Sequence, residues 1–151
     1  MSRAAGWICA ALLGVACARK PPDATPEGAV RELLARMERV DGDAASARAA
    51  FELMGGTTRA SLRERARRAS AASGRPVEPW DMIAPSRFAL RFHPQQMHAR
   101  ITGAQATVEV TGLEPSTEHA SVACVLEGDA WRIEIALPPL PPVEKRPDGG
   151  T

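Results

Sequence analysis

Two glycine-led turns constrain this chain more than any other feature, because each sits at the centre of a mirror of alternating apolar residues. Gly128-Asp129 stands between Val122, Cys124, Leu126 and Trp131, Ile133, Ile135, while Gly103-Ala104 stands between Met97, Ala99, Ile101 and Ala106, Val108, Val110. Side chains alternate faces along a strand, and a two-residue loop led by Gly is a favoured hairpin connection. Folding both turns this way pairs Leu126 with Trp131, Cys124 with Ile133, Val122 with Ile135, Ile101 with Ala106, Ala99 with Val108 and Met97 with Val110. All six pairs are apolar against apolar, and a one-residue slip would turn half of them toward water. Met97 to Leu137 is therefore expected to form an antiparallel meander with one dry face. The other face would carry Gln105, Thr107, Glu109 and Thr111, with Ala123 opposite Glu134 and His98 opposite Glu109.

The chain before the meander reads as helical. Thr25-Pro26-Glu27 supplies an N-cap, a Pro at the first helical position and an acid in the first turn. Val30, Leu33, Leu34 and Met37 follow at helical spacing, so an amphipathic helix is expected to run to about Val40. Asp43 is placed to cap a second, Ala-rich helix from Ala44 to Met54, stopped by Gly55-Gly56. A third can start at Thr57, at Thr58 or at Ser61, where Ser61-Leu62-Arg63-Glu64 has the capping-box pattern, and Ser73-Gly74 ends it. Arg75 to Pro85 is a Pro-rich connector in which Trp80, Met82 and Ile83 can cover the open end of a helix and sheet sandwich. Phe88, Leu90 and Phe92 alternate with Arg87, Ala89 and Arg91 and read as a first strand closed by His93-Pro94.

The first residues carry an address. Ala4 to Ala16 is an uncharged stretch after Arg3, too short for a bilayer span of about 20 residues, and it reads as a secretory signal. Leu12-Leu13-Gly14-Val15-Ala16-Cys17 resembles the lipobox of bacterial lipoproteins, which implies a leader of 1–16, lipidation of Cys17 and a tether of 17–25. Gly14 stands where that motif usually has Leu, and Ala16-Cys17-Ala18 alternatively fits ordinary cleavage after Ala18, giving a soluble periplasmic product. Beyond Leu137, Pro138-Pro139-Leu140-Pro141-Pro142 cannot continue a ladder, and 138–151 is expected to be a disordered Pro-rich tail.

Charge and motif content narrow the function. Removing the leader takes only Arg3 from the 19 basic residues, which then equal the 18 acidic ones, and a neutral chain lacks the basic face that nucleic acid requires. The three His and Cys124 show no metal-ligand spacing, Cys124 falls on the apolar face, and no cofactor motif is present. Arg59, Arg63, Arg65, Arg67 and Arg68 concentrate charge on the third helix, where Arg63 and Arg67 can meet an anionic partner or simply face solvent.

Helices followed by a meander that closes on Gly128-Asp129-Ala130-Trp131-Arg132-Ile133 resemble the NTF2-like superfamily, in particular its small bacterial envelope lipoproteins. The resemblance covers 26–137 and implies an α+β cone in which helices pack on a curved sheet. It implies no activity, because the superfamily holds both enzymes and binding modules. Its enzymes place an Asp or His in an apolar cavity, with Tyr or an acid beside it. This chain has no Tyr, and Asp81 beside Trp80 is the one acid with apolar neighbours. The expectation is a non-catalytic, membrane-anchored envelope domain that binds a partner protein or small apolar ligand through Trp80, Asp81, Met82 and Trp131, with a homodimer through the sheet face as a further contact. An isomerase- or hydrolase-like enzyme using Asp81 or a His is the alternative.

Overall fold

Helices come first in the chain and strands last, as hydrophobic periodicity requires. A computed structural model describes residues 20–142; Cys17, the leader and the tail from 143 onward lie outside the described residues. A 3-10 turn (Pro22–Ala24) leads into α1 (Pro26–Met37), α2 (Ala44–Glu52) and α3 (Gly56–Ser73). A second 3-10 turn (Pro79–Met82) and a short α4 (Pro85–Phe88) connect these to β1 (Gln96–Thr102), β2 (Gln105–Thr111), β3 (His119–Glu127) and β4 (Ala130–Glu134). The strands form one four-stranded antiparallel sheet in the order β1-β2-β3-β4, so the architecture is α+β.

Both hairpins fold about their glycines. Gly103 and Gly128 have φ of 60° and 62°, and among the described residues no other residue type adopts positive φ, so each loop places its positive-φ position first. Met97 faces Val110, Ala99 faces Val108 and Ile101 faces Ala106. Cys124 faces Ile133 and Leu126 faces Trp131. The ladder stops at Ala123 opposite Glu134, leaving Ile135 just past its end. Val108, Val110 and Ile133 are fully buried beneath α1, whose Ala29, Val30, Leu33 and Met37 enter the same core. The apolar sheet face is thus covered within the domain.

Helix starts follow local chemistry in two cases and distant chemistry in the third. Thr25 Oγ1 accepts the Gly28 N–H at 3.1 Å with Pro26 at the first position of α1. That helix ends at Met37, short of Val40. Asp43 accepts the Ala45 N–H at 3.0 Å at the start of α2. The Ser46 hydroxyl donates to the same carboxyl and holds it below the usual carboxylate range. Of the starts open to α3, Thr57 lies one residue from the observed one at Gly56, and the Ser61 capping box does not form because Ser61 is interior. The open N–H groups of the helix instead meet carboxylates from the sheet. Gly56 N–H donates to Glu127 at 2.6 Å, and those of Thr57 and Thr58 donate to Glu134 at 3.2 and 3.1 Å. Anions at a helix N-terminus satisfy both its orphan donors and its dipole. A Cβ on Gly55 would collide with the Glu134 carboxylate, which explains the glycine there. Glu134 is therefore a cap and not the solvated acid that alternation suggested.

The expected strand at Phe88 to Phe92 is absent. Pro85 seeds the helical turn of α4, Ala89 N–H closes it on the Pro85 carbonyl at 2.8 Å, and Phe88 enters the core. Among the described residues Leu90 to His93 then make no backbone hydrogen bond, and the ladder is first reached by Gln95 N–H, 2.8 Å from the Thr111 carbonyl. The alternation survives as a half-buried strap with Leu90 and Phe92 packed against the core. After β4, Pro138 to Pro142 are not a free tail. Arg65 donates to the Pro138 carbonyl and Arg68 to that of Pro141, at 2.6 Å in the second case, so this stretch is tied along α3.

Candidate functional site: an apolar cleft between helix and sheet

Where β4 ends and the strap fails to pair, the layers do not close completely. A cleft of about 380 Å³ remains between Val30, Leu33 and Leu34 of α1, Phe88 and Leu90, and the β3–β4 side bearing Val122 and Ile135. A second lobe of about 310 Å³, lined by Leu34, Met37, Glu38 and the chain from Ala89 to Pro94, shares Leu34, Ala89 and Leu90 with the first. The strap thus forms a wall common to two adjoining lobes, which together make up a trough. Ligand pockets typically occupy about 300 to 1,000 Å³ and are mostly apolar with few polar groups, and this trough has that character.

Three polar side chains border the larger lobe, and two are already engaged. Glu134 is held by Thr57 and Thr58 of α3, and the Ser121 hydroxyl donates to Glu109 at 2.7 Å. The Arg87 guanidinium forms neither a hydrogen bond nor an ion pair among the described residues, its main-chain N–H alone donating to the Ala84 carbonyl at 2.9 Å. In the smaller lobe His93 and Glu38 share the rim without a hydrogen bond between them.

The residues singled out from the sequence are not gathered here. Asp81 is exposed, and its carboxylate accepts the Glu78 N–H at 3.0 Å, so it caps its own 3-10 turn. Asp81 and Met82 border a separate depression beside the C-terminal end of α3. Trp80 packs edge-on to Phe51, with ring centroids 6.3 Å apart, and Arg48 lies 5.4 Å over the Trp80 ring. Arg63 stands 5.3 Å over Phe51, so Trp80 and Arg63 do share one aromatic neighbour. Arg67 is paired with Glu64 at 2.6 Å, and Arg68 and Arg67 together hold that acid below the usual carboxylate range. Trp131 is buried core and does not line the trough. His98 faces Glu109 across β1–β2, as the register requires, but Glu109 bonds Ser121 instead. His119 is exposed at the start of β3. Cys124 is buried, which, with Glu27 nearby, pushes its thiol up to about 11 and keeps it protonated at neutral pH.

The trough residues that sequence reading missed are Arg87, Leu90, Val122 and Ile135. Their signal was visible as alternation, but it was assigned to strand pairing on both sides of the gap. Among the described residues no cluster of His, Cys, Asp or Glu could hold a metal, and no helix is long and apolar enough to cross a membrane. No family model, curated protein or solved structure matches the chain.

Proposed function

We propose that this chain is a lipid-anchored protein of the bacterial cell envelope whose NTF2-like domain is a non-catalytic module, binding a small apolar ligand or the apolar side chains of a partner protein in the trough between α1 and the sheet. The observation that carries the binding role is the 380 Å³ lobe itself, lined mainly by aliphatic and aromatic side chains that include the core residues Val30, Leu33, Phe88 and Ile133. The NTF2-like assignment draws its support from the order of helices before a meander and from the Gly128 to Ile133 hairpin. Lipid anchoring at Cys17, which this reading assigns to the periplasmic side of the outer membrane, draws its support from the leader sequence. Asp81 lies away from the trough with its carboxylate engaged, which favours the module over an Asp81-dependent enzyme.

Titration with a neutral apolar fluorophore such as N-phenyl-1-naphthylamine tests the binding role. Saturable binding that is lost in Val122→Trp, which fills the lobe, is the expected result. Binding unaffected by that substitution would remove the trough from the proposal. Mass spectrometry of the mature N-terminus tests the anchor: a diacylglyceryl Cys17 supports it, and an unmodified terminus at Arg19 overturns it.

A further inference from the structure

The trough carries a charge pattern as well as an apolar lining. Its strap runs Arg87-Phe88-Ala89-Leu90-Arg91-Phe92-His93. Phe88 is buried and Leu90 and Phe92 are half-buried against the core, whereas Arg87, Arg91 and His93 are exposed. In the larger lobe the acid is neutralised by the start of α3, through Glu134 and the N–H groups of Thr57 and Thr58, while the cation Arg87 has no partner among the described residues. The smaller lobe extends the apolar lining past Leu34 to Met37 and Phe92, and its one acid, Glu38, shares that lining with the cationic Arg91 and with His93. A neutral ligand would leave Arg87 unused, and a compact anion would leave the lining unused. An extended chain with a single anionic end uses both.

We propose that the occupant is a free single-chain alkyl carboxylate, its carboxylate paired with Arg87 and its chain laid along the two lobes beneath the strap. This rests on the binding role proposed above and names the ligand class for the same site. Entry is through the strap, because Leu90 to His93 have no backbone hydrogen bonds to other described residues to break when they lift. Charge-assisted pairing at the rim fixes the end of the chain, and burial of methylenes supplies most of the affinity.

The test uses the full chain carrying Cys17→Ser, so that no acyl group of its own competes. Calorimetric titration compares decanoate, below the concentration at which it forms micelles, with 1-decanol. Decanoate should bind more tightly than 1-decanol. Arg87→Gln should weaken decanoate about tenfold, the loss of roughly one charge-assisted hydrogen bond, and leave 1-decanol unchanged. Arg63→Gln, on α3 and outside the trough, should change neither. Equal binding of the two amphiphiles, insensitive to Arg87, would overturn the carboxylate assignment while leaving an apolar site in place. Binding of neither would overturn the binding role itself. Sedimentation with phosphatidylglycerol vesicles, in the absence of any binding to monomeric decanoate, would reassign the cationic strap to a membrane surface and also overturn the proposal.

Discussion

The two edges of the sheet are closed by different means. Along β4 the Ile133 N–H donates to the Leu53 carbonyl at 2.9 Å, the Gly55 N–H donates to the Ile133 carbonyl at 2.8 Å, and the Ile135 N–H donates to the Thr58 hydroxyl at 2.8 Å. The outward amides of Ile133 and Ile135 are thus both paired. Along β1 the hairpin geometry directs the main chain of Met97, Ala99 and Ile101 away from β2, yet among the described residues only the Ala99 N–H meets an acceptor, Glu27 of α1 at 3.0 Å. Ile101 on that edge is 56% exposed, against 7% for Trp131 on β4. An unpaired edge is a template for another strand, and a single inward carboxylate is a minimal guard. One edge is therefore part of the core, and the other is held mainly by surface chemistry.

The largest effect that would sharpen this contrast is at Trp131. Trp131→Ala removes the largest side chain from the core next to the closed edge and should cost about 3 to 5 kcal/mol in denaturant unfolding. With typical domain stabilities of about 5 to 15 kcal/mol, much of the margin would go. A cost below about 1 kcal/mol would show that β4 is no better anchored than β1.

Thr58 comes next. Its buried hydroxyl accepts from Ile135 N–H and lies 2.8 Å from Glu134, joining the edge of β4 to the cap of α3. Thr58→Val keeps the shape and strands the Ile135 N–H, so a loss of about 1 to 3 kcal/mol is expected. Because Glu134 and α3 share that link, amide exchange in the first turn of α3 should quicken in the same variant. Exchange unchanged there would separate the cap from the edge.

What the sequence could reveal follows from the distance over which each feature is specified. The hairpin registers were legible because Gly103 and Gly128 set them within a few residues and apolar alternation checks them independently. The Thr25 and Asp43 caps are likewise local. The start of α3 was legible only as a choice among Thr57, Thr58 and Ser61, and its caps were not, because the acceptors Glu127 and Glu134 lie 71 and 76 to 77 residues away from the amides they cap. Ser61, correctly spaced for a capping box, lost to a helix that had already begun. The strap from Leu90 to His93 has strand periodicity without a strand partner, and periodicity reports burial on one side, not hydrogen bonding. The trough escaped notice for the same reason, since it exists where two apparently strand-like stretches fail to meet.

At the open edge, Glu27→Ala takes away the acceptor of Ala99 N–H and an acid from the first turn of α1. The amide is half-buried and water can replace part of the bond, so about 1 kcal/mol is the expected loss. The more telling readout is association. With its guard gone, β1 should give more concentration-dependent self-association than the parent chain by analytical ultracentrifugation, whereas Thr58→Val at the closed edge should match the parent at equal loading. Self-association by the Thr58 variant alone would reverse the assignment of open and closed edges.

The smallest effect on stability, and the most specific test of the edge, belongs to Ile101. Its side chain is already more than half exposed beside the Gly103 turn, so Ile101→Lys should change unfolding free energy by less than about 0.5 kcal/mol. Lysine on an exposed edge discourages strand addition, because pairing a second strand would bring its charge against the incoming chain and strip its water. Combined with Glu27→Ala, it should restore the parent's association behaviour without restoring the lost stability, since the Ala99 N–H still lacks its carboxylate. Recovery of stability together with that behaviour would mean that Glu27 and Ile101 are energetically coupled through β1. Persistence of association in the double variant would place the sticky surface elsewhere, and the contrast between the edges would no longer rest on exposed strand.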